Sequence, residues 1–169
     1  MKDLMIDIET LSVKKNGAIL SIGAVYFDRN TGETGEYFYA RISKESALKH
    51  GVSDEDTLNW WGNQSEEARN EAFGGNLDSY DVAISLCEFI KPDTKPWGNG
   101  STTDITMLEN WFDSVGVKYP WDFWNIRDVR TIVDWFDIDV KSFTREGVHH
   151  NALDDCLHQI KYMCEGVKK

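Results

Sequence analysis

Residues 3–9, DLMIDIE, alternate as a β-strand does: Leu4, Ile6 and Ile8 leave one face, Asp3, Met5, Asp7 and Glu9 the other. AILSIGAVYFD (residues 18–28), the turn RNTG and GEYFYARI (residues 35–42) follow, which predicts a long antiparallel hairpin beside that first strand. Residues 43–91 then turn helical, as SKESALKH, DEDTLNWWGNQ, SEEARNEAF and the amphipathic LDSYDVAISLCEFI, stopped before Pro92. KPWGNG (residues 95–100) reads as a brief strand and turn. TTDITMLENWFDSVG (residues 102–116) reads as a helix with Thr102 or Thr103 able to cap it. WDFWNIRD (residues 121–128) is expected as another strand, then a short helix through Phe136, a loop, and a last helix over 151–165. Three strands followed by alternating helices and strands predict an α/β sheet covered by helices on both faces.

A chain of 169 residues fits one domain with a real core. No stretch approaches the roughly 20 apolar residues of a membrane helix, so no membrane partner is expected. Asp3, Asp7 and Glu9 interrupt MKDLMIDIETL, which reads as a strand and not as a secretory leader. Cys87, Cys156 and Cys164 have no C-x-x-C spacing and are expected as reduced thiols in a cytoplasmic protein. The balance of 29 acidic against 18 basic residues argues against a broad basic surface gripping a duplex by its phosphates. It leaves room for a nucleic-acid enzyme whose site is recharged by divalent metals.

Asp7 and Glu9 are two apart on a strand, so both carboxylates leave the same face. They stay ionised together only if a cation sits between them; the plainer alternative is a solvent-facing edge. Asp104 precedes Leu108 by four residues and Trp111 by seven, which puts it on the inward face of its helix, in the first turn. It serves the helix dipole there, or a metal. In GVHHNALDDC (residues 147–156), Asp154 and Asp155 fall on opposite margins of the apolar stripe of the last helix, so periodicity does not choose between them. Nor does it choose between His149 and His150.

D-x-E on the first strand, an Asp at a mid-chain helix start and H-x-A-x-x-D near the C-terminus together resemble the DEDDh, or DnaQ-like, 3'-5' exonucleases along essentially the whole chain, residues 1–169. TLNWWGNQSEEAR (residues 57–69) and FWNIRDVRT (residues 123–131) look like segments of the phage exonuclease A and mycobacterial 3'-5' exoribonuclease types. The resemblance implies a ribonuclease-H-like fold, with a five-stranded mixed sheet of three antiparallel and two parallel strands flanked by helices. It selects His150, Ala152 and Asp155 as the last motif, leaving His149 and Asp154 to support the site from behind or to sit in water. It implies two divalent cations, Mg²⁺ or Mn²⁺, held by Asp7, Glu9, Asp104 and Asp155, and His150 as the general base. The partner it implies is the 3' end of single-stranded or overhanging DNA or RNA in a bacterial or phage-infected cell, releasing nucleoside 5'-monophosphates. Relatives often form homodimers. Thr10 and Leu11 are expected at the terminal nucleotide, with a bulky side chain against its base. Either Trp60 or Trp61 stacks on a base, or one is core and the other packs between helices. Gln64, Asn99, Arg127 and Arg130 are candidates for phosphate or sugar, although acidic neighbours are the favoured partners of the two arginines. Two alternatives remain: a ribonuclease-H-fold endonuclease, and an acidic, non-catalytic module that binds a cation or a protein.

Overall fold

Alternation in residues 3–9 is realised as β1 (Asp3–Thr10), the central strand of a five-stranded sheet ordered β3-β2-β1-β4-β5 in a computed structural model that describes residues 1–168. β2 (Ile19–Phe27) and β3 (Thr34–Arg41) pair antiparallel, as the hairpin predicts. β4 (Lys95–Gly98) and β5 (Arg127–Asp128) run parallel to β1 on its other side. The helices are α1 (Lys44–His50), α2 (Glu55–Gly62), α3 (Glu66–Phe73), α4 (Ser79–Phe89), α5 (Asp104–Val115), α6 (Val129–Trp135) and α7 (Ala152–Gly166).

Both faces of β1 are covered, which is why its two residue sets enter different cores. Leu4, Ile6 and Ile8 pack with Val82 and Leu86 of α4 and Leu108 and Phe112 of α5. Met5 packs on the opposite face with Cys156, Ile160 and Met163 of α7 and Val129 of α6. Asp3, on the Met5 face, is buried and satisfied: Arg29 Nε donates to it at 2.9 Å and Trp97 Nε1 at 2.8 Å.

Residues 121–128 depart from expectation. Only Arg127–Asp128 form a strand, while Phe123–Asn125 make a 3-10 turn with Phe123 and Trp124 exposed. β5 closes the edge of the sheet, with β4 as its one neighbour in the strand order, so no second partner draws that stretch into extended pairing. Thr103 does stand at the start of α5, but its side chain makes no capping hydrogen bond.

α7 crosses β2 at Gly23, where a Cβ would lie 2.4 Å from the Ala152 carbonyl carbon and 2.5 Å from the Leu153 nitrogen. Ala152 is itself fully buried, so two small residues in contact set the depth of the helix start. Gly23→Ala is therefore expected to lower stability by about 1–3 kcal/mol, the scale of overpacking, as read by denaturant midpoint.

Candidate active site

Met5 pairs with Trp97, so Asp7 and Glu9 emerge just past the end of β4, beside the turn that leads into α5. Ligand sites in open α/β sheets lie at such carboxyl ends. Asp104 is the first residue of α5 and Asp155 stands one turn into α7. Glu9, His150 and Asp155 each bring a ligand atom within 4.8 Å of the others. Asp104 presses electrostatically on both Asp7 and Glu9, and Glu9 presses on Asp7. A solvent-facing edge is thereby set aside, for Glu9 is only 8% exposed and β1 has a neighbour on each side.

Crowding and burial show in the acid strengths. Burial, and then the Asp104 and Glu9 charges, push Asp7 well above the usual carboxylate range. Burial and Asp104 raise Glu9 to about 8, against partial relief from Arg145. Burial also raises Asp104, to about 7, while the Asn99 backbone and Arg130 hold it down. A set of carboxylate oxygens short of positive charge fits a hard divalent ion such as Mg²⁺ or Mn²⁺.

An acid whose folded pKa is raised binds more protons folded than unfolded, so stability is lost as pH rises between the two values. For Glu9 that window runs from 4.5 to about 8. Without divalent ions the unfolding midpoint should fall across that window and then level off. A fixed Mn²⁺ concentration equal to a hundred times the Kd at neutral pH should restore about 2.7 kcal/mol there, and more as pH rises and protons cease to compete. Thermal unfolding in chelator and in Mn²⁺ across this range checks it; a gain that shrinks toward alkaline pH would contradict the clustering.

His150 sits in a loop held in an unusual shape. Its φ is +62° and that of Gly147 is +80°. Few non-glycine residues adopt such backbone, and those that do concentrate at functional sites. Two braces maintain it. Asp154 Oδ2 accepts from the Val148 amide at 2.7 Å, and a Cβ on Gly147 would collide with that carboxylate. Asn151 caps α7 by accepting from the Leu153 and Asp154 amides, while its Nδ2 donates to the Tyr39 hydroxyl and Glu71 Oε1, each at 3.2 Å. The members of each doublet occupy different places. His150 and Asp155 face Glu9, His149 is exposed, and Asp154 fixes the loop that carries His150. Burial, then the charges of His149 and Arg145, lower the His150 pKa below its ordinary value.

Two residues that touch these carboxylates carried no sequence signal strong enough to single them out. Gln159 Nε2 donates to Asp7 Oδ1 at 2.8 Å with the side chain only 5% exposed. It lies one turn beyond Asp155 on the same face of α7, so the helical wheel contained the hint. Arg145 pairs with Asp155 from an aperiodic loop, where spacing says nothing.

Among the expected nucleotide contacts, the tryptophan pair divides as its 100° separation on a helix requires. Trp61 is 2% exposed and donates to the Thr10 carbonyl at 2.9 Å, whereas Trp60 is 42% exposed. The Trp60 ring lies edge-on to His150, with centroids 4.7 Å apart. Leu11, expected against a base, is instead fully buried in the core. Val13 and Lys14 take the exposed place, lining a cavity of about 680 Å³ with Glu9, Thr10, Thr57 and Trp60. Gln64 donates back to the Trp60 carbonyl at 3.1 Å. Neither Arg127 nor Arg130 forms an ion pair among the described residues, although the Arg130 charge does act on its acidic neighbour Asp104. Arg127 donates to the Trp124 and Ile126 carbonyls, and Arg130 to the Asn99 carbonyl at 3.1 Å. Asp128 also contributes, accepting from the Gly100 and Ser101 amides and so shaping the turn that presents Asp104.

Comparison with known proteins places these features in company. Residues 2–167 match the family described as the 3'-5' exoribonuclease Rv2179c-like domain. The exodeoxyribonuclease of Enterobacteria phage T4 is 26% identical over 201 aligned residues, covering 96% of this chain and 88% of the phage protein. A solved structure of exonuclease I superposes with a TM-score of 0.70 at 13% identity. That match covers 94% of this chain but 39% of the other, so the chain spans well under half of that protein. The nuclease domain of 3'hExo, a DEDDh family member bound to rAMP, gives a TM-score of 0.67 at 12% identity, over 98% of this chain and 91% of that one. At such identities the two structures speak for the fold.

Proposed function

Because this chain belongs to the Rv2179c-like 3'-5' exoribonuclease domain family and is a DEDDh-type 3'-5' exonuclease of ribonuclease-H-like fold, we propose that it releases nucleoside 5'-monophosphates from single-stranded or overhanging 3' ends with two divalent ions and His150 as base. The observation that supports this reading is the cluster of Glu9, His150 and Asp155 within ligand distance of one another, with Asp7 and Asp104 near enough that the charges of Asp7, Glu9 and Asp104 act on one another. Residues 1–169 act as a single exonuclease domain, and three free thiols suit a reducing compartment.

Asp7, Glu9, Asp104 and Asp155 would hold Mg²⁺ or Mn²⁺. Bound there, the ions supply Lewis-acid polarisation of the phosphate and offset the carboxylate charge. Gln159 fixes one oxygen of Asp7, which keeps that carboxylate from rotating. His150, neutral near pH 7, takes a proton from the attacking water. Trp60 offers an exposed ring at the cavity beside His150, so a terminal base can stack there without its identity being read. Lys14 at the cavity rim suits the backbone that trails from it. The phage relative's name points to DNA, and the family's name and the rAMP of 3'hExo point to RNA. The mononucleotide end is what those substrates share.

Matched end-labelled DNA and RNA oligomers, with Mg²⁺ and with Mn²⁺, test the proposal alongside a circular single strand. A ladder shortening from the 3' end, with the circle intact, is the expected result. Cutting of the circle would instead make the chain an endonuclease, and release of nothing under any condition would leave only a binding module.

A further inference from the structure

Arg145 bears directly on this site and has no part in the chemistry above. It lies in the loop before α7, five residues ahead of His150. Its Nη2 pairs with Asp155 Oδ1 and also donates to the Val148 carbonyl at 3.4 Å. Both side chains are largely buried, 19% and 14% exposed, so the pair is shielded from water and salt. Its Nε is buried and has no partner. Among the described residues it is the one cation ion-paired to any of the four carboxylates.

A guanidinium never sheds its charge, so it remains a cation when a divalent ion arrives. Two cations on one carboxylate in a water-poor site repel strongly. Once displaced from Asp155, the guanidinium needs another anion, because a buried, unpaired charge is costly. Its free Nε–H, together with a released Nη–H, forms the two-donor edge that matches a phosphate. We propose that Arg145 is an exchangeable counter-cation: it holds Asp155 until a divalent ion takes that carboxylate, and then binds the 5'-phosphate of the terminal nucleotide. This rests on Asp155 as a metal ligand.

The test uses Mn²⁺ alone, then adenosine 5'-monophosphate and adenosine at saturating Mn²⁺, titrated calorimetrically into the full chain and Arg145→Met. Removing the competing charge should tighten Mn²⁺ binding on the order of tenfold, an ordinary coupling between sites. The same variant should bind the monophosphate on the order of tenfold more weakly, with adenosine unchanged. Mn²⁺ affinity that is unaltered or weaker overturns the proposal, since Arg145 would then be orienting Asp155 and not competing for it. Unaltered monophosphate affinity overturns it equally. Should the Met variant not fold, Arg145→Gln, which keeps polar atoms at the end and drops the charge, is held to the same two results. None of these readouts needs turnover, so their failure is distinct from a failure to degrade oligomers.

Discussion

Asp7→Asn is expected to cost at least about 10³-fold in mononucleotide release, the scale on which preorganised charge stabilisation acts, while making the metal-free protein more stable. The two effects share one cause. Asp7 is raised by burial and by Asp104 and Glu9, so at neutral pH the empty site must either keep a proton on it or hold a repelling charge. Both cost folding free energy. An amide costs neither, and its oxygen still accepts from Gln159 Nε2, now 2.8 Å from Asp7 Oδ1. A gain of about 1–2 kcal/mol, or roughly 2–8 °C for a chain of this size, is expected in chelator. It should disappear in Mn²⁺, where the native carboxylate gains a partner and the amide binds the ion poorly. Labelled-oligomer turnover and thermal unfolding with and without Mn²⁺ read both halves. A variant that is inactive yet less stable without metal would mean that Asp7 is already well compensated, and the account of a charge-starved cluster would fall.

Periodicity, and the places where it breaks, explain which residues the sequence could and could not reveal. A period of two suffices to put Asp7 and Glu9 on one face of β1, and a helical period suffices to turn Asp104 inward; both appear as read. Leu11 shows where that logic ends. Continued alternation would place it with Asp7 and Glu9, facing a nucleotide. The register of β1 against β2 shifts between Glu9 and Thr10, and that irregularity breaks the period and sends Leu11 into the core. Nothing in the residue types of ETLS announces the shift. Val13 is the exposed apolar side chain beside the cavity.

The histidine and aspartate doublets mark a second limit. Asp154 and Asp155 are equivalent on a helical wheel, and only the H-x-A-x-x-D resemblance favoured Asp155. In the structure Asp155 lies beside Glu9, and Asp154 accepts from the Val148 amide. Here spacing constrains each helix by itself, whereas the site depends on how two elements meet. The same holds for Asn151, whose reach to Tyr39 and Glu71 crosses from α7 to β3 and α3.

His150→Asn should reduce kcat by about 10²–10⁴-fold, the range for losing a general base, with Mn²⁺ affinity nearly unchanged. Asn is the informative replacement because it tolerates the φ of +62° found at this residue, so the loop braced by Asp154 and Asn151 can persist. Loss of activity then reports chemistry and not collapse of the loop. The pH profile separates His150 from the carboxylates that surround it. Its pKa is lowered by burial and by the charges of His149 and Arg145, so activity should fall below pH 6.5 as the imidazole takes up a proton. Glu9 and Asp104, raised to about 8 and about 7, also lose activity on the acid side, but by releasing metal. Raising the Mn²⁺ concentration pulls the carboxylate limb toward lower pH, since metal and proton compete for the same oxygens. It cannot move the histidine limb once the site is full. An acid limb that stops shifting at saturating Mn²⁺, and that vanishes in His150→Asn, assigns the base. A limb that keeps retreating with every increment of metal, in parent and variant alike, would mean that His150 only lines the site.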